Sequence, residues 1–149
     1  PPESVYNRPR NVFVAKFIGT PPMNIMDGSL VQQDGQLVFD EGDGVIQLPE
    51  SFKPKLESYV GRKVIFGVRP EDVKIDQTGQ EGLPVTVHVV ELLGDQLIVY
   101  MRSGTNQIIG KLPPSTDIKY GDEVRITYRG QNVHIFETDT GDGKNVTLD

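Results

Sequence analysis

Lys63–Asp76 reads K-V-I-F-G-V-R-P-E-D-V-K-I-D, and the order of residue types in it decides the fold. Val64, Ile65, Phe66 and Val68 make a nearly continuous apolar run, the pattern of a strand buried on both faces. Arg69-Pro70 stops it, because proline has no amide hydrogen for a ladder and restricts the residue before it. Glu71-Asp72 form a polar corner. Val73 and Ile75 then alternate with Lys74 and Asp76, the signature of a second strand. A central strand therefore turns sharply and re-enters a sheet, and the stretch joins two halves of a β-barrel-like body.

The rest of the chain has the same texture. It holds 16 glycines and 11 prolines in 149 residues, which calls for many turns and short strands. Downstream, Gln77–Gly82 is a polar loop without apolar anchors, read as a seam between the halves at 77–83. Pro84–Leu93 alternates, with Val85, Val87 and Val89 on one face and Thr86, His88 and Val90 on the other. Gly94-Asp95 turns it into a strand over 96–102. Further strands are expected at 106–112, 123–128 and 133–136, and the glycine- and aspartate-rich tail 138–149 is expected to be flexible. Upstream, Gln33-Asp34-Gly35 is a hairpin signal between strands over 24–31 and 36–39. Residues 51–61 read as a short helix with Pro54 in its first turn and Gly61 at its stop. Residues 11–19 read as a helix capped by Asn11. Its Phe13/Phe17 and Val14/Ile18 pairs make one broad apolar face, expected to meet a partner or a further domain.

Net charge is −6 at pH 7, which disfavours a nucleic-acid binder that must neutralise phosphates. No cysteine is present, so no thiolate chemistry is available. No apolar stretch nears membrane-spanning length, and Pro1-Pro2-Glu3-Ser4 reads as a cut inside a longer polypeptide. No catalytic, cofactor-binding or metal-binding residue emerges. Gly143-Lys144 is a near miss for a phosphate loop, with Thr138 where the first glycine should stand. Asp40, Glu41 and Asp43 lack the alternation and closing glutamate of a calcium loop. His88 and His134 lie in alternating strands without short metal-ligand spacing. Glu71-Asp72 and Asp122-Glu123 are adjacent pairs at turns, poorly placed to act as acid and base together.

Val5–Asn24, V-Y-N-R-P-R-N-V-F-V-A-K-F-I-G-T-P-P-M-N, resembles a junction in the ATP-binding subunits of sugar-type ABC importers, the maltose- and glycerol-phosphate-importer group. Gly67–Val73 is similar to that group's G-[IV]-R-P-E motif. Val89–Asp95, Leu112–Pro114 and Gly121–Val124 match its second half in order. The resemblance implies a mainly β, OB-like (TOBE/MOP-type) regulatory domain over 21–137, with 1–20 left from the end of an ATPase domain. It implies ATP and magnesium sites in the parent and none in this chain. It also implies a homodimer that tethers two ATPase subunits, permease subunits as partners through the parent, and a surface for a regulatory protein. The location implied is cytoplasmic, peripheral on the inner face of the membrane. Arg69, Pro70, Glu71, Gly94 and Asp95 match motif positions, read as structural or regulatory. Leu93, Leu97, Val99 and Met101, crowded around the Gly94 turn, are the expected dimer contacts. An oxyanion-binding MOP-like sensor using Ser103-Gly104-Thr105, or a nucleic-acid-binding OB barrel, are the alternatives.

Overall fold

In the computed structural model of the chain, residues 6, 8–17, 21–138 and 143–148 are described, apart from the side chains of Phe13 and Phe17. Among the described residues, ten strands form two antiparallel five-stranded sheets. The first contains β1 (Asn24–Gln33), β2 (Gln36–Asp40), β3 (Val45–Gln47), β4 (Lys63–Val68) and β10 (His134–Glu137), in the order β10-β4-β1-β2-β3. The second contains β5 (Val73–Ile75), β6 (Leu83–Leu93), β7 (Gln96–Ser103), β8 (Asn106–Leu112) and β9 (Glu123–Tyr128), in the order β5-β9-β6-β7-β8. The second sheet curls until β8 lies along β5.

β4 is an interior strand of the first sheet and is covered on both sides, as its apolar run requires. Val64, Phe66 and Val68 face the main core, while Ile65 joins a smaller cluster of Ala15, Met23 and Phe136 on the outer side. Gly67 is needed there. A Cβ would stand 2.6 Å from Met23 Sδ and 2.8 Å from a ring carbon of Phe136, inside contact distance. After β4 the chain makes a 3₁₀ turn at Pro70–Asp72 and enters the other sheet as β5. The expected seam at 77–83 is thus displaced. Loop 77–82 joins β5 to β6 within one sheet, and the crossing lies at 69–73. The loop is ordered by Asp76 instead of by apolar anchors. Its Oδ2 accepts hydrogen bonds from Thr78 Oγ1 and from the Gln80 and Glu81 amides.

The local signals fold as their chemistry dictates. The β1–β2 register leaves Asp34-Gly35 as a two-residue loop, and both residues have positive φ, 53° and 77°. That is the primed turn whose twist matches its strands. Helix α1 (Val12–Phe17) is capped by Asn11, whose Oδ1 accepts from the Val14 amide at 2.9 Å. Ala15 docks it on the outer face of the first sheet; the side chains of Phe13 and Phe17 lie outside the described residues, as does Ile18. The expected helix over 51–61 is three short turns: Glu50–Phe52, α2 (Lys53–Leu56) and Glu57–Tyr59, with Phe52 and Leu56 buried in the core.

Two expectations fail for identifiable reasons. β6 does not alternate throughout, because the register with β7 shifts between Val87 and Val89. His88 is the extra residue of a bulge, and beyond it the faces exchange. Val89 turns outward, 45% exposed, and Val90 packs on the core. The tail is not loose where it is described. Lys144 bridges Asn11, Asn145 bridges Phe136, and Asn145 and Thr147 are buried. Polar side chains that bond backbone hold this segment, a source of order that a count of glycine and aspartate misses. Residues 139–142 and 149 lie outside the described residues.

Candidate functional site

Three places bring together the residues singled out by sequence. The first is the Arg69-Pro70-Glu71 corner. Arg69 is buried. Its Nη2 donates to the Tyr6 carbonyl at 2.7 Å, and its guanidinium lies 4.0 Å from the centre of the Tyr6 ring. The Tyr6 hydroxyl donates to Glu71 Oε2. Burial and the bond to Glu71 push the Tyr6 phenol up to about 12. The corner is therefore a grip on the N-terminal segment. Beside it lies a cleft of about 760 Å³, lined among others by Arg8, Lys55, Glu71, Asp72, His134 and Thr147. Burial raises the Asp72 carboxyl above the usual aspartate range, with Asn132 bonding it in the opposite sense.

The second place is the β6–β7 hairpin. Gly94 has φ +62°, and Leu93 pairs with Gln96, so Gly94-Asp95 is a two-residue turn as read. Only its first residue has positive φ, the II′ pattern. The hairpin tip stands out from the sheet, with Leu92 65% and Leu93 57% exposed. Val89 and Leu93 share the outer face of the strand and Leu92 stands on the other. Two of the expected contact residues are corrected. Val99 and Met101 are fully buried in the chain's own core, because β7 packs inward between β6 and β8. Leu97 is half-buried against the same core. Val89 and Leu92, which also belong to the arm, are exposed. The bulge signal, one valine out of phase, was not readable from alternation alone.

The third place is around Ser103. Its buried Oγ has no hydrogen-bond partner among the described residues, and it lines a pocket of about 440 Å³ with Arg102, Arg125, Asp43 and Glu123. No group of three or more histidine, cysteine or acidic residues with metal-site geometry exists among the described residues. His88, on β6, and His134, on β10, stand in different sheets. The Gly143 and Lys144 carbonyls accept hydrogen bonds from the Val12 and Glu137 amides. Among the described residues no helix is long and apolar enough to cross a membrane.

Two five-stranded β-sheets joined by a G-V-R-P-E-D corner, with an exposed hairpin arm, define an OB-type β domain. Residues 19–73 match the MalK OB fold domain and residues 66–136 match the TOBE domain. Together the two matches span residues 19–136, and over that span the chain is a MalK-type OB and TOBE domain. The two matches overlap at 66–73, where β4 gives way to β5. A trehalose/maltose import ATP-binding protein, MalK of Thermococcus litoralis, is 38% identical over 94% of this chain and 39% of its own length. The oligosaccharides import ATP-binding protein MsmX of Bacillus subtilis is 32% identical over 93% of this chain and 39% of its length. The sn-glycerol-3-phosphate import ATP-binding protein UgpC of Escherichia coli is 29% identical over 94% and 38%. The chain thus spans about two fifths of these relatives. The cytoplasmic molybdate-binding protein ModG shares the fold, with a TM-score of 0.55 at 16% identity over 75% of this chain and 94% of ModG.

Proposed function

We propose that this domain is the regulatory and dimer-forming module of the ATP-binding subunit of an ABC sugar importer. Its role there is to keep two such subunits joined while their catalytic parts separate and meet, and to offer a surface to a regulatory protein. ATP and magnesium would act in the rest of the parent, which would sit on the inner face of the cell membrane against its permease subunits. The observation that carries the reading is the β6–β7 arm. Val89, Leu92 and Leu93 are large apolar side chains left in solvent on a projecting hairpin, on a chain whose relatives are importer subunits. Apolar surface of this kind marks a contact, and two-fold contact is the commonest way for like chains to close. A tether raises the effective concentration of the tethered parts to about the millimolar range.

Sedimentation equilibrium of the chain from micromolar to millimolar concentration tests this. The expected outcome is a monomer–dimer equilibrium that weakens about tenfold or more in Leu92→Ser/Leu93→Ser, whose melting temperature stays close to the parent's. A monomer at all concentrations removes the tethering role. Magnesium-dependent ATP turnover by the purified chain would contradict the assignment of chemistry to the rest of the parent.

A second reading, an oxyanion sensor, has one observation in its favour: the unpartnered Ser103 Oγ beside Arg102 and Arg125. Asp43 and Glu123 line the same pocket and oppose an anion. Calorimetric titration with molybdate separates the two readings, and a trimer or hexamer in sedimentation would favour the second.

A further inference from the structure

The amide of Asn145 has all its polar capacity in use, and the way it is used fixes the state of a histidine. Asn145 is 3% exposed. Its Oδ1 accepts from the Thr147 amide at 3.0 Å and from Thr147 Oγ1 at 2.6 Å. Its Nδ2 donates to the Pro9 carbonyl at 2.7 Å and lies 3.1 Å from His134 Nδ1. Turning the amide over would set its NH2 against the Thr147 N–H and its oxygen against a carbonyl, so the neighbours fix its orientation. An amide NH2 has no lone pair to offer. His134 Nδ1 must therefore be the acceptor, which makes the ring neutral with its proton on Nε2. A protonated ring would set N–H against N–H. Thr147 Oγ1, 3.4 Å from the same nitrogen, is too distant to replace the lost bond.

What hangs on this bond is the closure of both ends of the chain. Segment 143–148 lies between the N-terminal segment and β10. On one side the Asn145 amide donates to the Arg10 carbonyl and the Val12 amide donates to the Gly143 carbonyl. On the other side Glu137 N–H bonds Lys144 O and Val146 N–H bonds Ile135 O. Lys55 Nζ donates to the Thr147 carbonyl from a third element. We propose that segment 143–148 is a clasp that bridges Arg10–Val12 and β10 only while His134 is uncharged, so that acidification through the histidine range frees this segment from both. Among the described residues, the charged groups lining the adjoining cleft are Arg8 from the N-terminal segment, Lys55 from α2, and Arg69, Glu71 and Asp72 from the corner. The three cations oppose a charged His134 and the two carboxylates favour one. The geometry of Asn145 decides, since it admits only the neutral ring. The second grip, Arg69 and Glu71 on Tyr6, carries no histidine and stays closed, so release is local. The inference is independent of the tethering role.

Amide exchange of the whole chain, corrected for intrinsic rates, tests it between about pH 8 and about pH 5.5, the span over which a histidine changes charge. Protection of the Val12, Asn145 and Thr147 amides is expected to fall together by about tenfold, the size expected when a buried donor loses its acceptor. Protection of Val99 in the core should stay unchanged. Constant protection of the three amides, or an equal fall at Val99, would overturn the proposal. His134→Gln offers a carbonyl acceptor that does not titrate, and is expected to abolish the pH dependence; a dependence that persists would also overturn it. Ring-nitrogen chemical shifts of His134 at about pH 8 need no variant. They must show an unprotonated Nδ1, and the opposite tautomer would end the argument.

Discussion

Asn24 does at the scale of one residue what a strand does at the scale of an element. Its Oδ1 accepts from the Ile109 amide and its Nδ2 donates to the Ile109 carbonyl, both at 2.8 Å. β8 is an edge strand, and this 6%-exposed side chain stands in for the missing neighbour while tying the second sheet to the first. Asn24→Ala leaves two buried backbone groups unpaired and should cost about 2–4 kcal/mol; an unchanged denaturation midpoint would contradict it. Tyr128 makes a similar tie, its hydroxyl donating from β9 to the Gln47 carbonyl on β3. Burial raises the Tyr128 phenol to about 12, and Tyr6 reaches about 12 by burial and its bond to Glu71. Both lie above the ordinary 10.0, so the fold prefers the neutral phenols. Their contribution is complete below pH 10 and is lost as pH rises through 12. The melting temperature of the parent should therefore fall over that window, and Tyr6→Phe/Tyr128→Phe should fall less steeply. Identical slopes would show that neither phenol is held by the fold.

Among elements, the β6–β7 arm shows what a single sequence reveals and what it hides. Its turn is legible because turn chemistry is local: Gly94 needs φ +62° and the sequence supplies glycine there. A Cβ at Gly94 would meet nothing within 4 Å, so the cost of Gly94→Val is backbone strain alone, about 1–3 kcal/mol for a β-branched residue at positive φ. That is a loss of several degrees in melting temperature for a chain of this size, and no change would mean that the turn relaxes. The bulge at His88 is not legible, since P-V-T-V-H-V-V-E-L-L fits unbroken alternation equally well. Only the pairing with β7 shows that one residue is extra, and it turns Val89 outward and Val90 inward. The same limit applies to the N-V-T segment at 145–147. Its order comes from bonds to Pro9 and Arg10, more than a hundred residues away in sequence, which local composition cannot register. The central stretch was legible because it carries its own evidence: an apolar run, a proline stop and a restart within 14 residues.

At the scale of the whole molecule, two family descriptions meet in one body. The MalK OB match and the TOBE match divide the chain near residue 70, and a chain of two domains would unfold in two steps. The packing argues for one. A single core cluster contains Met26, Leu30, Phe39 and Phe66 of the first sheet together with Val85, Val99, Met101 and Ile108 of the second. The strand after the TOBE sheet, β10, returns to pair with β4 of the first sheet. Asn24 and Tyr128 bond across the same boundary. Neither sheet keeps its core, its strand complement or its buried hydrogen bonds if the other unfolds. The expected outcome is one calorimetric transition, with an enthalpy of about 100 kcal/mol for a chain of this length and equal calorimetric and van't Hoff values. The measurement belongs near pH 7.5, where the clasp of segment 143–148 should be closed. Two resolved transitions, or a van't Hoff enthalpy near half the calorimetric one, would mean that the halves are separable despite their shared core. In that case Asn24→Ala would lower only one of the two. With a single transition, Asn24→Ala and Gly94→Val, which lie in different sheets, should each shift the whole curve without broadening it.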